Sequence, residues 1–209
     1  MTRISKALAV ITCLLPGTAM AQVGYNDTLA DPNLAEAEAL AALPNMTEAL
    51  AETVVDNRPY LSAQALDDVL AESLDRDQRN ELYGALFRQV NLNDASDEEM
   101  LLIPGMNWRM AHEFKEYRPY RSLEQFRREI GKYVDDDELA RFERYVFVPL
   151  NLNTASEDDL ATIPGMTPRM VHEFEEYRPY TNMEQFRREI GKYVDVDEVA
   201  RLESYVTID

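Results

Sequence analysis

The chain has 209 residues, with 39 Asp and Glu against 21 Lys and Arg, a net charge of −18, and two histidines. Such a field repels duplex DNA and anionic lipid at long range and attracts basic partners. The one cysteine, Cys13, excludes an intrachain disulfide.

The first 21 residues read as a cleaved secretory signal. Arg3 and Lys6 form a basic start, Ala7 to Leu15 an apolar stretch too short to span a bilayer, and Ala19-Met20-Ala21 a small-residue cleavage signal before Gln22. Cys13 leaves with the leader, and Thr12 together with the early position argues against a lipid anchor there. The expected location is the periplasm, with no thiol chemistry and no later segment apolar enough to cross a membrane. Residues 22–30, with Gly24 and Asn26, read as a loose lead-in.

From residue 31 onward the chain repeats itself. Residues 91–149 and 151–209 align without a gap and share 38 of 59 positions. At the same sixty-residue offset, 31–90 fits as a third, divergent copy: Leu43-Pro44-Asn45-Met46 lies under Ile103-Pro104-Gly105-Met106, and Arg58-Pro59-Tyr60 under Arg118-Pro119-Tyr120. A fixed period implies one structural unit used three times, over 31–90, 91–150 and 151–209. The three carry charges of −8, −4 and −7, so the acidity is not a tail.

In the middle copy the spacing predicts a short helix over 94–103 with Met100 and Ile103 inward, broken by Pro104-Gly105-Met106. A second helix over 108–117 shows Met110, Phe114 and Tyr117 and is ended by Arg118-Pro119-Tyr120, because a residue before proline avoids the helical region. A third starts at Ser122 with Leu123, Phe126 and Ile130. A fourth covers 137–146 with Leu139, Phe142 and Val146. The last copy repeats the stripe with Met170, Phe174, Tyr177, Met183, Phe186, Ile190, Val199, Leu202 and Val206. No strand alternation is visible, so the expected class is all-α: three tandem units of four short helices. With almost no linker between copies, at Phe147-Val148-Pro149-Leu150, the units are expected to stack into a short rod or arc.

The run Asn151-Leu152-Asn153-Thr154-Ala155, an acidic helix, then Ile163-Pro164-Gly165-Met166 resembles the start of helix-hairpin-helix domains, most of all the exported DNA-receptor proteins of bacterial competence. Through Tyr177-Arg178-Pro179-Tyr180 the unit is also similar to the small extrinsic helix-hairpin-helix subunit of photosystem II, which is exported and structural. The resemblance covers each copy end to end and implies two hairpins per copy. It speaks to fold more than to function. DNA-binding members of the family use an apolar-Gly-apolar-Gly turn whose backbone N–H groups face a phosphate. Here the first glycine survives as Gly105 and Gly165 and becomes Asn45, which tolerates positive φ. The second is replaced by Thr47, Asn107 and Thr167, which are capping residues, with Pro168 suited to the first helical position. At the second hairpin the two positions hold Ser73 and Asp75, Tyr133 and Asp135, and Tyr193 and Asp195. An aspartate there is favoured by the helix dipole and puts negative charge where a phosphate would sit.

Arg109, Arg127, Arg128 and Lys132, with Arg169, Arg187, Arg188 and Lys192, are the candidate nucleic-acid contacts, a basic rim on an acidic body; pairing with Glu124, Glu129, Glu184 and Glu189 on the same helix is the alternative. His112 and Glu116, and His172 and Glu176, stand four apart, close enough to share a metal, but no third ligand is assignable and they read as an exposed polar face. Asp135-Asp136-Asp137-Glu138 and Asp195-Val196-Asp197-Glu198 lack the glycine and spacing of a calcium loop. No nucleophile with a partnered base is legible, and no cofactor or metal is expected. The reading is an exported, non-enzymatic interaction or scaffold protein with a protein partner in the cell envelope. Its candidate contacts are Trp108, Arg118, Tyr120, Arg178 and Tyr180, residue types that dominate interface hot spots. Local packing of the Arg-Pro-Tyr bend is the alternative for the tyrosines, and weak, salt-sensitive DNA binding of the uptake type is the alternative function.

Overall fold

A computed structural model describes Val23 and residues 28–208. The leader, the expected start at Gln22 and the lead-in residues Gly24 and Asn26 lie outside the described residues. Among the described residues the chain is mostly helical, with twelve helices and four two-residue strands. They run α1 (Ala37–Ala41), α2 (Glu48–Asp56), α3 (Ala63–Ala71), α4 (Arg76–Leu82), β1 (Val90–Asn91), α5 (Asp97–Met100), α6 (Trp108–Glu116), α7 (Leu123–Ile130) and α8 (Asp136–Glu143). After these come β2 (Val146–Phe147), β3 (Leu150–Asn151), α9 (Glu157–Leu160), α10 (Pro168–Glu176), α11 (Met183–Ile190), α12 (Val196–Glu203) and β4 (Val206–Thr207). No described helix is long and apolar enough to cross a membrane.

The apolar stripes face inward as their spacing predicts. Met100, Ile103, Met110, Phe114, Phe126, Ile130 and Phe142 are buried, as are Met170, Phe174, Phe186, Ile190, Val199 and Leu202, while Tyr117, Leu139, Tyr177 and Met183 are partly covered. Phe114 takes Phe126 and Phe142 edge-on at centroid distances of 5.1 and 5.4 Å, a geometry that aligns ring edge with ring face.

The strands correct the all-α expectation. Val146 and Val206 do not end helices; they lie in β2 and β4. β1 pairs with β2 in parallel, Val90 opposite Val146, and β3 with β4, Leu150 opposite Val206; Ala30 bridges Leu86 in the same sense. Each four-helix run thus returns its tail to its own head. The pairing satisfies main-chain groups that burial would otherwise leave without partners. Two residues per strand give no alternation to read. The lead-in is held at two points, because Ala30 is paired and Val23, fully buried, bridges Phe147.

Of the expected rod or arc, a straight rod is excluded, because the first and third stretches touch. One hydrophobic core runs from Leu40 to Val148 without a break, and a second gathers Val23, Phe147 and the buried residues from Leu150 to Val206. Phe87 joins the first two stretches, edge-on to Tyr83 at 5.4 Å and to Tyr145 at 5.1 Å. The first and third stretches meet through Arg88, whose side chain is 1% exposed. Its guanidinium donates to the carbonyls of Tyr60 (3.1 Å) and Gln89 (3.2 Å), the Tyr205 hydroxyl (2.7 Å) and Ser204 Oγ (2.8 Å). It also lies over the Tyr205 ring at 4.3 Å. Four acceptors and an aromatic face offset the cost of burying the cation.

Candidate functional site

The six turns between consecutive helices of a pair are the natural place to seek a ligand, since a helix start presents unpaired N–H groups. At the first turn of each stretch the backbone passes through positive φ: 61° at Asn45, 75° at Gly105 and 74° at Gly165. A β-carbon on Gly105 would lie 2.8 Å from Arg141 Nη2, and one on Gly165 3.0 Å from Leu34 Cδ2. Both glycines are therefore required by conformation and by space.

The helix starts that follow are occupied by their own side chains. Thr47, Asn107 and Thr167 accept from the N–H of Leu50 (3.2 Å), Met110 (3.1 Å) and Met170 (3.3 Å). Asp75, Asp135 and Asp195 accept from Gln78 (3.0 Å), Glu138 (2.9 Å) and Glu198 (2.9 Å). Each caps its helix and takes an N–H group that a phosphate would need. The first turn is further tied down from the fourth helix of its run. Arg141 donates to the Pro104 carbonyl, and Arg201 to that of Pro164 at 2.7 Å, while each grips a glutamate, Glu138 or Glu198, through both carboxylate oxygens.

The basic residues are largely neutralised. Arg127 forks onto Glu143 at 2.7 and 2.5 Å, and Arg187 onto Glu203 at 2.6 and 2.5 Å. These partners stand on the next helix rather than at Glu124 or Glu184, and their hydrogen bonds raise both arginine pKa values. Arg128 and Lys132 share Glu129, and Arg188 and Lys192 share Glu189. Hydrogen bonds from the lysine first, then the arginine, lower each glutamate's pKa. Arg169 stands 4.0 Å from Glu173, and Arg109 is exposed with no ion pair among the described residues. His112 and Glu116 are 3.4 Å apart and His172 and Glu176 3.7 Å, all exposed. No group of three His, Cys, Asp or Glu that could hold a metal ion lies among the described residues.

The Arg-Pro-Tyr bend makes internal bonds with four of the five candidate contacts. Tyr120 and Tyr180 are each 2% exposed and offer a partner almost no surface. Arg118 donates to the carbonyls of Leu92 (2.5 Å) and Ala95 (2.7 Å), and Arg178 to those of Leu152 (2.6 Å) and Ala155 (2.8 Å), so both guanidiniums close the bend instead of projecting from it. Asn93 completes the arrangement, exchanging two bonds with the backbone of Tyr120 at 2.8 and 2.6 Å, and Asn153 does the same for Tyr180 at 2.9 and 2.7 Å. Trp108 is the most exposed of the five, at 62%, on the first position of α6. Sequence reasoning passed over the asparagines, although Asn33, Asn93 and Asn153 each stand 27 residues before the bend tyrosine. It also passed over Arg88, whose counterparts sixty and 120 residues on are Val148 and Ile208.

No family model, no curated protein and no solved structure matches this chain.

Proposed function

We propose that the chain is an exported, non-catalytic interaction protein of three helix-hairpin-helix units, 31–90, 91–150 and 151–209, with two degenerate hairpins each, and that it docks a protein partner in the periplasm. The observation that carries this reading is the capping of all six helix starts by Thr47, Asn107, Thr167, Asp75, Asp135 and Asp195. A turn closed in this way serves as structure, and its phosphate seat is filled. The net charge of −18 and the pairing of Arg127, Arg128, Lys132, Arg187, Arg188 and Lys192 with carboxylates point the same way. For the docking surface the support is Trp108. An exposed indole at a turn where the other two stretches hold Glu48 and Pro168 is not required by the fold, and tryptophan is prominent among interface anchors.

The test is co-purification from envelope extract with the tagged chain, with and without nuclease. The expected result is one partner retained equally in both and lost with Trp108→Ala, with the variant's melt unchanged. Loss on nuclease treatment would replace this reading with DNA binding of the uptake type through the basic rim of Arg109, Arg127, Arg128, Lys132, Arg169, Arg187, Arg188 and Lys192.

A further inference from the structure

Tyr117 follows the last turn of α6, and Tyr133 stands in the turn between α7 and α8; their phenol oxygens are 2.8 Å apart. Sixty residues on, Tyr177 and Tyr193 meet at the same 2.8 Å. The ring centroids lie 6.5 and 6.4 Å apart and the rings are tilted by 52° and 48°. The direct contact of oxygen with oxygen holds the hydroxyl ends of the two rings together. Tyr133 is 38% exposed, so the pair is open to an oxidant in solution. The partner phenol first, then a glutamate, Glu113 for Tyr133 and Glu173 for Tyr193, raises the pKa of one phenol of each pair. Lys132 covers the Tyr117 ring at 5.1 Å and Lys192 the Tyr177 ring at 4.7 Å, with Arg169 over Tyr193 at 5.6 Å. The first stretch holds Asn57 and Ser73 at the two positions and is a control within the same chain.

We propose that Tyr117 with Tyr133, and Tyr177 with Tyr193, are sites of oxidative cross-linking to dityrosine by hydrogen peroxide and a haem peroxidase. Each phenol gives one electron to the oxidant and one proton to solvent. The two phenoxyl radicals join through their ortho carbons. Each of those carbons then passes its hydrogen to its own oxygen as a proton, which restores both phenols. Per cross-link two protons and two electrons leave, and one peroxide is reduced to two waters. The new bond ties the end of the second helix to the turn before the fourth. It staples a unit covalently in a chain that has no cysteine beyond Cys13.

The full chain, treated with peroxide and a haem peroxidase, decides the matter through dityrosine fluorescence and mass spectrometry of the digested monomer. The expected products are peptides joined 117 to 133 and 177 to 193, each lighter by two hydrogens. Tyr133→Phe should halve the yield, and Tyr133→Phe with Tyr193→Phe should abolish it, with circular dichroism unchanged. The proposal fails if no cross-link forms, if the monomer is joined at other tyrosines, if only intermolecular links appear, or if the double variant keeps its yield. The assay needs neither export nor a partner, so its failure would leave the proposed function untouched.

Discussion

In residues 31–90 the contact between α3 and α4 is made by Asp67, which accepts from the Tyr83 hydroxyl and, at 2.7 Å, from Arg79. Sixty residues on the same positions hold Arg127 and Glu143, and again Arg187 and Glu203. The first turn shows the same exchange. Asn45 donates to Glu81 at 3.0 Å where the later stretches set Gly105 and Gly165 under Arg141 and Arg201. The bonds from side chain to main chain at the Arg-Pro-Tyr bend are not exchanged. Arg58 donates to the carbonyls of Pro32 and Ala35 as Arg118 does to those of Leu92 and Ala95, and Asn33 holds Tyr60 as Asn93 holds Tyr120. A pair of side chains can be replaced together, whereas a main-chain carbonyl accepts only what reaches it, so the backbone contacts fix the unit and the pairs vary around them.

The difference carries an energetic consequence. Val54, Leu66 and Leu82 stand in 31–90 where the middle stretch has Phe114, Phe126 and Phe142, and smaller side chains bury less area at about 25 cal/mol per Å². The first stretch compensates by sharing its core with the second and by reaching the third through Arg88. The largest expected effect is therefore on fragments. A 22–90 fragment should be poorly folded while 91–209 melts cooperatively, as read by circular dichroism. A 22–90 fragment that melts as sharply and as high would make the first stretch an independent domain.

Next in size is Arg88→Met, which removes the donor to the Gln89 carbonyl, the Tyr205 hydroxyl and Ser204 Oγ and leaves the Tyr60 carbonyl with Asn33 alone. The expected loss in urea melts is about 1–3 kcal/mol. Gly165→Val forces a β-branched residue to positive φ against Leu34 and should cost more than about 1 kcal/mol. Asn45→Gly, at the equivalent turn, keeps the conformation and loses only the bonds to Gln78 and Glu81, about 0.5–1 kcal/mol. Equal effects would mean the two turns are not built as described.

The smallest effect is on alkaline stability. Burial pushes the Tyr60 and Tyr205 hydroxyls from 10.0 up to about 12. Between those values the folded chain keeps protons that the unfolded chain has lost, so stability is complete below about 10 and falls as pH rises toward about 12. Denaturant midpoints taken across that window check it, and Tyr60→Phe should shallow the decline.

Much of the fold was legible because apolar spacing reports helix faces directly: Phe114, Phe126 and Ile130 needed only their periodicity. The turns were legible because positive φ restricts residue type, as at Asn45, Gly105 and Gly165. The strands escaped because two residues carry no period, and the closure of the first stretch on the third escaped because Arg88 is a single residue outside the repeat pattern. Of the candidate contacts, Tyr120 and Tyr180 were misplaced because an aromatic beside a proline reads alike whether it faces solvent or the core. Trp108 differed from its counterparts Glu48 and Pro168, and that difference was the usable signal.

The proposed function is tested most directly by titrating the full chain with duplex DNA at about 150 mM salt. With six helix starts capped and most of the basic rim paired, the expected dissociation constant is no tighter than ordinary non-specific binding, roughly 10⁻⁴–10⁻⁶ M. Sub-micromolar binding, lost on changing Arg127, Arg128, Arg187 and Arg188 together, would contradict the account and place the DNA on the basic rim.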